Sequence, residues 1–97
     1  MLLGRPKVIL GPSSPVVVTS GSPVTLECAT AGDPTPIVKW HGPRQSQSNL
    51  KVIESVRGVL KLVIEKTGEN DQGNYTCQAQ NLVGVTRESV QLIGKSF

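Results

Sequence analysis

The chain has 97 residues, 37% hydrophobic and 18% charged, and a formal net charge of +3. That is one domain's worth of chain, and the balance of residues excludes both disorder and a membrane-embedded protein. One Trp, one Tyr and one Phe are too few rings for a surface that stacks nucleic-acid bases.

Ten glycines and seven prolines punctuate the sequence. The runs between them alternate apolar and polar residues, the pattern of half-buried antiparallel strands. Residues 1–6 are expected to be a loose tail. A first short strand is predicted over residues 7–10, ended by Gly11 and Pro12, and a second over 16–19. Residues 24–29 alternate, with Val24, Leu26 and Cys28 on one face. Residues 32–36, rich in proline, form a stiff turn. The strand over 37–41 follows, with Val38 and Trp40 on its inner face.

Residues 42–49 are polar and read as a loop with a short edge strand at 44–49. Strands are predicted over 50–55 and 59–65, joined by a hairpin turn, with Leu60, Leu62 and Ile64 inward. Residues 67–72 form a polar corner. In the strand over 74–80, Tyr75, Cys77 and Ala79 point inward, so Asn74 and Thr76 point outward. A turn at 81–84 leads to the last strand, 85–93, with Val90 and Leu92 inward. Residues 94–97 are expected to be loose, which leaves 7–93 as the domain. Pro12, Pro15 and Pro43 blunt the sheet edges at 7–10 and 44–49, which could otherwise pair with another chain.

The chemistry-bearing residues are few. The chain's two cysteines, Cys28 and Cys77, are 49 positions apart, and His41 is the one histidine. Structural zinc normally takes four N or S ligands, so no metal site is expected. A disulfide across a loop of about 50 residues would stabilise the chain by roughly 4 kcal/mol in the chain-entropy model. Two reduced, buried thiols in a cytosolic protein are the alternative. Ser and Thr are plentiful, but none is paired with a base, so no catalytic residue and no cofactor is expected. No run is long and apolar enough to cross a bilayer, and residues 1–3 are far too short for a signal peptide.

The basic residues are scattered and read chiefly as a solvated surface. Lys39, Arg44 and Lys61 are the candidates for a patch that would take a sulfated polysaccharide or an acidic partner. Asn74-Tyr75-Thr76 is an N-glycosylation sequon with its asparagine facing out. Asp71 is placed either to pair with Lys51 or Arg57 or to cap its own turn. Leu82 and Val83 put apolar side chains on a turn tip, the preferred partner-contact site.

Trp40 lies 12 residues after Cys28 and Tyr75 two before Cys77. Together with Asp71-x-Gly73-x-Tyr75-x-Cys77, this resembles the immunoglobulin pattern. Three further motifs resemble the intermediate, or I-set, branch. They are Gly32-x-Pro34-x-Pro36-x-x-x-Trp40 at its B–C turn, Ala79-x-Asn81-x-x-Gly84 at its F–G hairpin, and Gly21-x-x-Val24-x-Leu26-x-Cys28 leading into its B strand. The resemblance runs from about residue 7 to 93. It implies an all-β, Greek-key sandwich of two antiparallel sheets bridged by Cys28 and Cys77. Trp40 and Leu62 would fill the core, and the Tyr75 hydroxyl would bond back to the corner at 68–71.

Thr67 departs from the family, which usually has an apolar residue there, and a slightly looser corner is expected. The cysteine separation is short for a variable-type domain. The implied function is non-catalytic protein recognition or spacing in a larger extracellular adhesion, receptor or matrix protein, through a sheet face or loops and with a like or unlike partner. The alternative is an intracellular scaffold module of muscle or cytoskeleton.

Overall fold

The computed structural model describes residues 3–43 and 59–95, and the backbone pairing of 50–54. Eight strands alternate with turns: β1 Gly4–Gly11, β2 Val16–Thr19, β3 Val24–Asp33, β4 Ile37–His41, β5 Leu50–Glu54, β6 Val59–Ile64, β7 Gly73–Gln80 and β8 Val85–Lys95. They form two sheets, ordered β1-β3-β6-β5 and β2-β8-β7-β4. This is the expected immunoglobulin-like sandwich, with one pairing of a different kind. Strand β2 runs parallel to β8, with Val16 beside Leu92. The break at residues 12–15 carries the chain from the first sheet to the second without reversing it, so β2 meets β8 in the same direction.

The period of two explains the core. Leu26 and Cys28 of β3, Leu62 and Ile64 of β6, Tyr75, Cys77 and Ala79 of β7, and Val90 and Leu92 of β8 are all buried. Each fully buried aliphatic or aromatic side chain contributes roughly 1.5–3 kcal/mol of transfer free energy. Cys28 and Cys77 are joined across the sheets, their Cα atoms 6.4 Å apart. Trp40 lies opposite Cys77 in the β4–β7 register and packs half-buried against the core. Its indole Nε1 donates to the Leu60 carbonyl at 3.0 Å, so the ring fills space while its polar edge ties the second sheet to the first.

The ends are more ordered than the sequence suggested. Residues 4–6, expected to be loose, belong to β1, and Pro6 is buried. Gly4 pairs with Asp33 ahead of an irregularity in the ladder that ends at Lys7. At the other end β8 continues to Lys95. The periodicity starts cleanly only at Lys7 because Pro6 and the ladder irregularity hide the earlier pairing.

The corner between β6 and β7 is closed by polar atoms. The Tyr75 hydroxyl donates to the Asp71 carbonyl at 2.6 Å. Asp71 is buried and its Oδ2 accepts the Gly68 N–H at 2.7 Å. It is therefore a buried turn cap, not a solvated one. The side chains of Lys51 and Arg57, its expected partners, lie outside the described residues. Thr67 does not loosen the corner. It is buried, and its hydroxyl points to the carbonyls of Ser22 at 2.8 Å and Thr19 at 3.2 Å. A hydroxyl with two acceptors in reach is as well seated there as an apolar side chain.

Candidate functional site

Strands β7 and β8 meet in a turn at residues 81–84, and Asn81 organises that end of the sandwich. Its Oδ1 accepts the N–H groups of Val83 at 2.9 Å and Gly84 at 3.2 Å, which folds the turn. Its Nδ2 donates to the carbonyls of Gly4 at 2.8 Å and Pro34 at 2.9 Å. One amide side chain thus uses both donors and both acceptor positions. It joins the β7–β8 turn, the β3–β4 turn and the start of β1. Thr86 adds a second tie, donating its hydroxyl to the Pro6 carbonyl at 2.6 Å. Gly32 permits this convergence. A Cβ there would stand 3.2 Å from Pro6 Cα and 3.3 Å from Asn81 Nδ2.

On this fixed frame Leu82 is 90% exposed and Val83 40% exposed. Ile37, 70% exposed, stands opposite Gln80 in register, one residue before Asn81. Leu3 is also exposed, next to the Gly4 held by Asn81. Apolar side chains therefore gather at one end of a domain about 50 Å long. Motif reading found Leu82 and Val83. It did not find Ile37, which looked like an ordinary first strand residue, or the role of the Asn81 donors, whose acceptors lie 77 and 47 positions away.

The basic patch expected from Lys39, Arg44 and Lys61 does not assemble. Lys39 is exposed on β4, in the second sheet. Lys61 is on β6 in the first sheet, between inward-facing Leu60 and Leu62, so the two point to opposite sides of the sandwich. Lys61 pairs instead with Glu27 at 3.4 Å, a half-exposed contact worth little. Arg44 lies outside the described residues. Lys39 shares a cross-strand row with Gln78 and Arg87, and Arg87 Nε donates to Gln78 Oε1 at 2.8 Å. His41 is exposed at the end of β4, and Asn74 is exposed on β7.

The sequence profile described as "Immunoglobulin domain" matches residues 5–81. The chain is 33% identical over 93 residues to the mouse basement membrane-specific heparan sulfate proteoglycan core protein, covering 93% of this chain and 2% of that protein. It is 33% identical over 96 residues to chicken neuronal cell adhesion molecule, covering 95% of this chain and 7% of that one. It therefore spans only a small fraction of either relative. Among solved structures, a chimeric titin Z1Z2 carrying an exogenous decorin peptide superposes with a TM-score of 0.84 at 28% identity, over 98% of both chains. The profile match, the bridged sheets, Trp40 against Cys77 and the Tyr75–Asp71 corner agree: the chain belongs to the immunoglobulin domain family, as an I-set-like member.

Proposed function

We propose that this domain is a protein-recognition or spacer module of a larger extracellular adhesion, receptor or matrix protein, docking its partner through the β7–β8 turn. One observation carries the reading. Leu82 and Val83 are exposed on a turn whose N–H groups are held by Asn81 Oδ1, while Asn81 Nδ2 is tied to the carbonyls of Gly4 and Pro34. A pre-ordered apolar tip loses little conformational entropy on binding. Burying the nearly free Leu82 and the partly covered Val83 supplies roughly 2–4 kcal/mol before the costs of association. The partner therefore needs a wider footprint, for which Ile37 is the nearest apolar neighbour. The closed disulfide favours an oxidising compartment, and the basement-membrane and cell-adhesion relatives agree with it.

The likeness to titin favours a second reading, an intracellular scaffold of muscle or cytoskeleton, in which both cysteines are reduced. Secretion of the 97-residue chain from mammalian cells separates the two. A mass gain of two hydrogens on reduction supports the extracellular reading, and two free thiols after secretion support the scaffold. For recognition, fluorescent multimers of wild type, Leu82→Asp/Val83→Asp and Lys61→Ala are compared on adherent cells and their deposited matrix. Binding that is lost in the tip variant and kept in Lys61→Ala is expected. Equal binding by all three sinks the proposed contact.

A further inference from the structure

Strand β7 carries an N-glycosylation sequon whose position bears on which surface of the domain stays open. Asn74-Tyr75-Thr76 supplies the amide and hydroxyl that N-glycosylation requires. The strand register decides whether the folded domain can hold the product. Tyr75 and Cys77 are fully buried, so the period of two turns Asn74 and Thr76 to the outer face of the β2-β8-β7-β4 sheet. A slip of one residue would aim the sequon into the core. Asn74 is exposed opposite Gln91. The β4 ladder stops at the His41–Thr76 rung, so Asn74 stands just beyond the last residue paired on that side.

The surface around it suits a sugar. Thr76 shares a hydrogen bond with Ser89 at 2.7 Å. Along the strands the neighbouring outward positions are Gln78, Arg87, Ser89 and Gln91. On this face the exposed large apolar side chains are Ile37 and, on the edge strand β2, Val17. From Asn74 to Gln80, where the turn with Leu82 begins, is six strand residues, about 20 Å at ~3.4 Å per residue.

We propose that Asn74 is N-glycosylated and that the glycan covers the middle of this outer face, leaving the β7–β8 turn as the open contact surface. The inference rests on the extracellular reading above. In the transfer, the Asn74 side-chain nitrogen bonds to the anomeric carbon of an oligosaccharide carried on a lipid diphosphate. The carbon–oxygen bond to the phosphate breaks, the lipid diphosphate leaves, and the amide gives up one proton. Nothing is oxidised or reduced.

The test is intact mass of the chain secreted from mammalian cells, before and after peptide-N-glycosidase. Wild type and Thr76→Ser are expected to carry one N-glycan; Asn74→Gln and Thr76→Ala are expected to carry none. Coverage is read separately by labelling with a bulky maleimide. Ser89→Cys should label several-fold faster after enzymatic deglycosylation, while Leu82→Cys labels at the same rate in both states. Secreted wild type without sugar overturns the proposal. Equal labelling of Ser89→Cys in the two states overturns the coverage. Either failure leaves the recognition reading intact, because the Leu82→Asp/Val83→Asp comparison tests that contact without reference to the glycan.

Discussion

The Thr67 hydroxyl lies 2.8 Å from the Ser22 carbonyl, and the Thr67 N–H donates to the same oxygen at 3.1 Å. The Gly21 N–H returns a bond to the Thr67 carbonyl at 2.8 Å. A residue that departs from its family's apolar pattern thus clamps the turn between β2 and β3 to the corner that follows β6. Replacing it by the family's kind of residue should therefore hurt. Thr67→Val keeps the shape but deletes the side-chain donor, and a buried hydrogen bond removed this way costs about 1–2 kcal/mol. Urea unfolding should show a lower midpoint with an unchanged slope. A variant as stable as wild type would mean that the hydroxyl contributes nothing net.

Tyr75→Phe should behave similarly for a different reason. The ring stays in the core, but the Asp71 carbonyl loses the donor at 2.6 Å. A loss of about 1–2 kcal/mol should lower the thermal midpoint by roughly 4–16 °C in a domain of this size. Asp71→Asn tests the other half of the corner. Its amide oxygen can still accept from the Gly68 N–H but without a charge, so a weaker corner and a lower midpoint are expected.

These contacts of one corner also show what the sequence could and could not disclose. The inward faces were legible because side-chain alternation is a local signal, and the Tyr75 bond spans only four residues. Thr67 was misjudged because its acceptors lie 45 and 48 positions away, where nothing local points to them. The patch of Lys39 with Lys61 failed for a similar reason. Proximity on a sandwich depends on which sheet each strand joins, and alternation within a strand is silent about that. Residues 4–6 were missed because a proline and an irregular ladder erase the period of two where β1 begins.

Asn81→Asp separates the two jobs of the turn residue. The carboxylate keeps the acceptors for Val83 and Gly84 but faces the Gly4 and Pro34 carbonyls with no donor. Two lost hydrogen bonds, with repulsion in their place, should cost about 2–3 kcal/mol. Amide hydrogen exchange should locate the damage. Faster exchange around residues 4–8, with the β7–β8 turn little changed, is the expected result. Uniform loosening of the turn itself would contradict the assignment.

The bridge between Cys28 and Cys77 closes a loop 49 residues long. Chain entropy assigns such a cross-link roughly 4 kcal/mol, a large share of the 5–15 kcal/mol typical of a folded domain. Cys28→Ala/Cys77→Ala should therefore unfold at much lower denaturant than wild type. Reduction of wild type should move its midpoint in the same direction. A midpoint that ignores reductant would show that the bridge does not stabilise the fold.

Gly73 opens β7 with φ at 138°, and a Cβ there would stand 2.7 Å from Pro43 Cγ. Gly73→Ala meets two separate penalties, a left-handed backbone that a side chain resists and a steric contact with the proline ring. A loss of about 2 kcal/mol is expected, more than the 0.4–1 kcal/mol an alanine gains where the backbone suits it. A double-mutant cycle with Pro43→Ala divides the penalties. If the ring contact matters, Gly73→Ala costs less in the Pro43→Ala background, and what remains belongs to the backbone. Equal costs in both backgrounds would assign the whole effect to φ. A neutral Gly73→Ala would show that neither restraint operates at the start of β7.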